Sequence, residues 1–157
     1  MRGTKKSEDN LIYGPDSPPR LDYEKMLEVA VLIHGHLGPF LVYGIKMGLL
    51  ARQILGFKGH FDVKVEAFVG DNTPVTCMAD GLQISTGATL GKRNIKLADM
   101  QNGIPAAVFD YKGKRIKIAL TQKALDLSRE KEGWEGADEM GREIAEMDAG
   151  DLFQIIG

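Results

Sequence analysis

Residues 38–56 read GPFLVYGIKMGLLARQILG, an apolar segment in which Gly44 and Gly48 stand four apart, with Ala51 near the same face. Pro39 suits the first turn of a helix, where its missing N–H has no partner to lose. Interior glycines weaken a helix by roughly 1 kcal/mol each. Their compensation is that a second backbone can approach where no Cβ stands. Lys46 and Arg52 interrupt the apolar run, which is too short to span a bilayer. The stripe is therefore expected to seat tight core packing, with the helix laid on a sheet.

On the N-terminal side, LDYEKMLEVAVLIHGH predicts a helix from about Tyr23, with Asp22 as cap, Glu24 in the first turn and Gly35 as stop. On the C-terminal side, FDVKVEAFV (61–69) alternates as a half-buried strand does, Phe61, Val63, Val65, Ala67 and Val69 forming the apolar set. VTCMADGLQIST has the spacing of a short helix opened by Thr73 and Pro74, and TGATLGKRN is a glycine-punctuated loop. IKLADM, IPAAVFDY and RIKIALT read as strands, the last two joined by a KGK hairpin turn. QKALDLSREKEG and ADEMGREIAEMDAGDLFQIIG predict two charged amphipathic helices and an apolar tail. Helices first, strands grouped in the middle and helices last define an α+β class, with a mainly antiparallel sheet packed by N-terminal and C-terminal helices.

The 157 residues are expected to form a polar arm at 1–20 and one domain at 21–157. The arm has no apolar core of a signal peptide, and Leu11, Ile12 and Tyr13 within it are available to pack on the body or on a second copy of the chain. A net charge of −2 gives no electrostatic footprint for nucleic acid or an anionic membrane. Cys77 is the only cysteine, so no disulfide within the chain and no paired-cysteine zinc knuckle can form, and a cytoplasmic setting is expected.

His34 and His36 flank Gly35. Inside a regular helix their rings would stand about 200° apart and could not share a ligand. Gly35, Gly38 and Pro39 break the helix here, and in an extended segment the two side chains would face one side. Histidine imidazole is a ligand for zinc, iron, nickel and copper; a helix-terminal histidine also caps carbonyls. Cys77 opens a short helix whose N-terminal field favours a thiolate, or it is a small buried hydrophobe. Asp80 lies one turn on and Gln83 a further turn, and an exposed acid on a helix face needs no function. Lys92 and Arg93 after the glycine-rich backbone suggest an anion cradle, although the spacing is not that of a Walker A loop; a basic surface turn is the plainer reading. His60 reads as a surface turn residue.

HGHLGP after a helix, CMADGLQISTGATLGKRN after a strand, GIPAAVFDYKGKRIKIAL and a closing DLFQI together resemble the formylmethanofuran dehydrogenase E-subunit family, from about Leu21 to Ile155. The resemblance implies an α+β domain, a homodimer and a divalent transition-metal site, zinc foremost. It carries His34, His36 and Cys77 over as metal ligands and Asp80 and Gln83 as the acid and amide of the same helix. Thr86, Gly87, Gly91, Lys92 and Asn94 match the family's loop. Gly38 and Ala88 stand where the family pattern has cysteines, and the C-terminal zinc ribbon of some relatives is absent from this sequence. An open His/His/Cys site is what survives.

Three functions are consistent with these residues. In the first, a metal site acts on a small anionic substrate, with Asp80 and Lys92 as catalytic groups and Gln83, Thr86, Gly87, Gly91 and Asn94 binding the ligand. In the second, the chain is a non-enzymatic accessory or carrier that binds a metal or organic cofactor for a partner redox enzyme. In the third, the same pocket takes an organic ligand and no metal. The homodimer draws on the resemblance and on two apolar stretches, LFQII and NLIY.

Overall fold

A computed structural model describes residues 22–157; the arm at 1–20 and its apolar residues lie outside the described residues. Helix α1 (Tyr23–His34) and helix α2 (Pro39–Leu55) come first, followed by strand β1 (Lys64–Phe68). A single 3-10 turn, Val75–Cys77, leads into α3 (Met78–Thr86). Strands β2 (Ile95–Ala98), β3 (Ala106–Tyr111) and β4 (Lys114–Leu120) follow, then α4 (Gln122–Leu127), α5 (Gly133–Ala145), the short α6 (Ala149–Leu152) and β5 (Phe153–Ile156). The five strands lie in the order β2-β1-β3-β4-β5. Only the β1–β2 pair is parallel; the other three pairs are antiparallel. The class is α+β, as expected.

Local chemistry accounts for the boundaries. The Asp22 carboxylate accepts the Lys25 N–H at 2.7 Å and starts α1, while Gly35, at φ 103°, ends it in the left-handed region that glycine tolerates best. Lys112 and Gly113 both adopt positive φ between paired Tyr111 and Lys114, the geometry of a two-residue hairpin turn. Val63, Val65, Ala67 and Val69 are buried as the alternation requires, but Phe61 is 63% exposed and precedes the strand. The cause is Asp62, whose carboxylate accepts the N–H groups of Lys58 and Gly59 and bends the chain there. The apolar tail is not loose: it forms β5 and closes one edge of the sheet against β4.

Helix α2 is buried along most of its length and shares one core with Val65, Ala67, Phe109 and Ile118 of the sheet. Its glycine stripe does not face the sheet, however. It faces α3. A Cβ on Gly44 would collide with the Met78 carbonyl oxygen and lie 2.9 Å from the Gly81 Cα. The relation is reciprocal, since a Cβ on Gly81 would strike the Leu41 carbonyl oxygen. A Cβ on Gly48 would overlap the Ser85 hydroxyl. That buried hydroxyl donates toward the carbonyls of Gly44 (3.2 Å) and Gly81 (3.0 Å), tying the two helices at the crossing. The sequence periodicity showed that something must come close; it held no record of which element did.

Replacing Gly44 or Gly81 by alanine, or Gly48 by leucine, should destabilise the protein by about 2–3 kcal/mol or more through overpacking against backbone. Gly91→Ala, with open space around the new methyl group, should change stability by less than about 0.5 kcal/mol. Denaturant melts check both, and an unaltered midpoint in Gly81→Ala would contradict the crossing.

Candidate functional site

The end of α1 and the middle of α3 meet at one place. His34 is the last residue of α1, and its Nδ1 lies 2.7 Å from Asp80 Oδ2. A carboxylate only accepts, so Nδ1–H donates, and in the neutral ring the lone pair lies on Nε2. Asp80 can reach because it precedes Gly81, the residue that lets α3 sit against α2. His36 follows the left-handed Gly35, and its ring centroid is 5.2 Å from that of His34. The two imidazoles are therefore neighbours, brought together by a glycine helix stop; no extended segment is needed.

His36 is enclosed from the other side by α5. Its ring packs edge-on against Trp134 at 4.1 Å. Its Nδ1 is buried and, among the described residues, has no hydrogen-bond partner. Burial lowers the His36 pKa, the neighbouring His34 lowers it further, and Asp138 opposes both, so the neutral ring is favoured. Asp138 accepts the Leu37 N–H at 3.1 Å and the Arg142 Nε–H at 2.8 Å, fixing the HGH turn to α5. The Arg142 hydrogen bond is the main reason the Asp138 carboxyl sits below its ordinary range. Gly141 lets α5 approach, because a Cβ there would collide with the Leu37 carbonyl. Gly38 has a similar bearing on the site: a Cβ on it would lie 3.2 Å from His36 Nε2, so its absence leaves that nitrogen open.

A cavity of about 290 Å³ opens beside His34, with Cys77, Asp80 and Gln83 in its wall. Cys77 occupies the cap position of α3 and is half-buried. The helix field was expected to favour its thiolate, but burial, followed by the adjacent Asp80, pushes the thiol above its ordinary value. Among the described residues, no three His, Cys, Asp or Glu side chains form a group arranged to hold a metal ion.

The loop residues are placed differently. Thr86 is fully buried; its hydroxyl donates to the Leu82 carbonyl at 2.6 Å and accepts the Ala88 N–H at 3.1 Å. The Asn94 side chain accepts the Thr89 N–H and donates to the Val63 carbonyl. Gln83 Oε1 accepts the Leu90 N–H, and the Thr89 hydroxyl accepts the Lys92 N–H. The N–H groups of Ala88, Thr89, Leu90 and Lys92, which would cradle an anion, thus have partners within the loop or on α3. Gly87 caps α3 at φ 79° with no room for a Cβ beside the His60 N–H, whereas Gly91 is exposed. The Lys92 ammonium lies over the Phe61 ring at 5.9 Å, away from the cavity beside His34. His60 is a turn residue at φ 67°.

Trp134 and Asp138 escaped the sequence reading. They lie about a hundred positions from the histidines, in a helix whose charge pattern suggests only a solvated face.

Fold and site together define an α+β protein in which two histidines meet where α1, α3 and α5 converge, beside a cavity between α3 and β2. The model of the family described as FmdE, molybdenum formylmethanofuran dehydrogenase operon, matches residues 33–154, and the chain belongs to that family. A probable S-adenosyl-L-methionine-binding protein of Archaeoglobus fulgidus is 28% identical over 110 residues, 66% of this chain and 29% of that protein. The chain thus spans less than a third of that relative's length. No helix among the described residues is long and apolar enough to cross a membrane.

The raised Cys77 pKa has a direct consequence. At pH 8, below the ordinary thiol value of 9.0, iodoacetamide should alkylate Cys77 more slowly than an unstructured cysteine. Asp80→Asn, which removes the nearby negative charge, should speed the reaction. Alkylation as fast as in a free peptide would contradict the burial assigned to this thiol.

Proposed function

We propose that the chain binds a divalent transition metal, zinc foremost, through His34 and His36, with Cys77 as third donor and the remaining position open to a small anionic substrate. The observation that supports this best is the 2.7 Å Asp80–His34 pair beside a second imidazole whose buried Nδ1 lacks a partner among the described residues. A carboxylate that orients a histidine through Nδ1 raises the basicity of Nε2, an arrangement common behind metal-bound histidines. The donor set fits: two imidazoles, one of them favoured in its neutral form, and one thiol suit zinc. A bound ion would supply a Lewis acid. The residues here do the rest: Asp80 holds the His34 proton, Asp138 and Trp134 hold His36 in place, and Cys77 must lose its proton to bind. Loading requires the three side chains to reorient, since they do not stand as a ready-made cluster.

A second reading is that of an accessory or carrier protein serving a redox enzyme, and the family's description, which names the operon of such an enzyme, favours it. The name of the archaeal relative adds S-adenosyl-L-methionine as an organic ligand to include in any binding panel. For either function we propose a homodimer, in keeping with the exposed Leu32, Ile33 and Trp134 beside the site. Light scattering at micromolar concentration would show a monomer if that is wrong.

Elemental analysis of protein prepared without a nickel column should give about one zinc or similar ion per chain. The double variant His34→Ala, His36→Ala should lose that metal while keeping its circular dichroism spectrum, because an open site contributes little to the fold. Full metal content in this variant, or none in the wild type after zinc loading, would refute the proposal. Turnover that depends on metal across a panel of small anions separates enzyme from accessory protein.

A further inference from the structure

Strand β5 lies at an edge of the sheet, and its outer side is unguarded. The Thr121 N–H bonds the Leu152 carbonyl, which sets the alternation between β4 and β5. Gln154 and Ile156 therefore turn their main-chain groups to β4, while Phe153 and Ile155 turn theirs to the open edge. The Phe153 N–H is taken by the Ala149 carbonyl. The Phe153 carbonyl and both main-chain groups of Ile155 remain, with no strand beside them among the described residues. Phe-Gln-Ile-Ile holds no charge and no proline, the features that ordinarily keep an edge from pairing. The opposite edge strand, β2, carries Lys96. Ile155 and Ile156 point to opposite faces of the sheet and stay 51% and 49% exposed. A missing neighbour strand leaves side chains in that state, half covered on both faces.

The arm before Asp22 contains a segment of matching character. Asn10-Leu11-Ile12-Tyr13, followed by Gly14, is uncharged and has the β-branched and aromatic composition of a short strand. In extended form Leu11 and Tyr13 would face one side and Ile12 the other, as Ile155 and Ile156 do. The described residues begin at Asp22, and that point lies near the start of β5. The Lys46 ammonium sits over the Tyr23 ring at 5.4 Å, and the Tyr43 ring is 6.3 Å from the Phe153 ring. Tyr43 and Lys46 stand one turn apart on α2, so α1 and β5 both start from the same stretch of that helix. Eight residues, 14–21, link Tyr13 to Asp22. Extended, such a link reaches about 25 Å, roughly two helix diameters.

We propose that residues 10–13 of the arm add to the free edge of β5 as a sixth strand, engaging the Phe153 carbonyl and the main chain of Ile155. Main-chain hydrogen bonds set the pairing, and covering Ile155 and Ile156 together drives it. The tether decides the occupant. A short link holds the segment at an effective concentration on the order of millimolar, which a second copy at micromolar concentration does not match. The two apolar stretches that the sequence offered as ground for a homodimer then cover each other within one chain. This surface is separate from the metal donors, and neither proposal depends on the other.

Amide hydrogen exchange of the full chain, read residue by residue by NMR, tests it. The Ile155 N–H should exchange at least about tenfold more slowly than in the double variant Leu11→Pro, Ile12→Pro, whose arm loses two donors and the strand conformation. The Gln154 N–H, held by β4, and the Phe153 N–H, held by Ala149, should exchange at similar rates in both proteins, which also shows that the variant keeps its fold. An Ile155 N–H that exchanges as fast as an exposed amide in the wild-type chain, or one equally protected in the variant, would overturn the proposal. Protection of Ile155 that grows with protein concentration would overturn it too, because a second copy would then be the strand that covers the edge.

Discussion

Backbone meets backbone where α2 crosses α3 at Gly44 and Gly81, and the position of every candidate donor follows from that contact. Two helices with side chains between them pack at roughly 8–10 Å; with no Cβ on either side, their main chains come closer. The Ser85 hydroxyl, shared between the Gly44 and Gly81 carbonyls, gives the crossing a polar tie as well as a fit. The cost is the low helix propensity of the glycines in these two helices, offset by the burial that close packing makes possible.

The site is a by-product of this geometry. Asp80 neighbours Gly81, so the carboxylate emerges at the edge of the crossing, where α1 ends at His34. Cys77 stands one turn earlier at the start of the same helix. From the opposite side α5 presses Gly141 against Leu37 and sets Asp138 under the Leu37 amide, which fixes the HGH turn. Three helices from distant parts of the chain thus hold two imidazoles 5.2 Å apart, between a carboxylate on one side and an indole on the other. Among the described residues, a histidine nitrogen inside this frame stays unsatisfied.

Much of this was legible in the sequence because it is local. The alternation of Val63, Val65, Ala67 and Val69, the glycine stop at Gly35 and the KGK turn each depend on a few consecutive residues, and each appears in the structure. Partner choice is not local. The Gly44/Gly48 stripe announced a close approach, yet the sheet and α3 were equally able to provide it from sequence alone. The glycine-rich loop looked like an anion cradle because composition does not reveal where amides find partners; Thr86, Thr89, Gln83 and Asn94 take them. The same reasoning explains Lys92, whose ammonium folds over Phe61. For Cys77 the sequence offered both a helix-terminal thiolate and a small buried hydrophobe, and burial, with Asp80 after it, decides against the thiolate.

Everything proposed for the metal depends on His34, His36 and Cys77 converging on one ion. X-ray absorption at the zinc edge of the zinc-loaded protein reads that coordination shell directly. Two nitrogen neighbours at about 2.0–2.1 Å and one sulfur at about 2.3 Å are expected, with the sulfur lost in Cys77→Ser. A shell of nitrogen and oxygen alone in the wild-type protein would contradict that convergence.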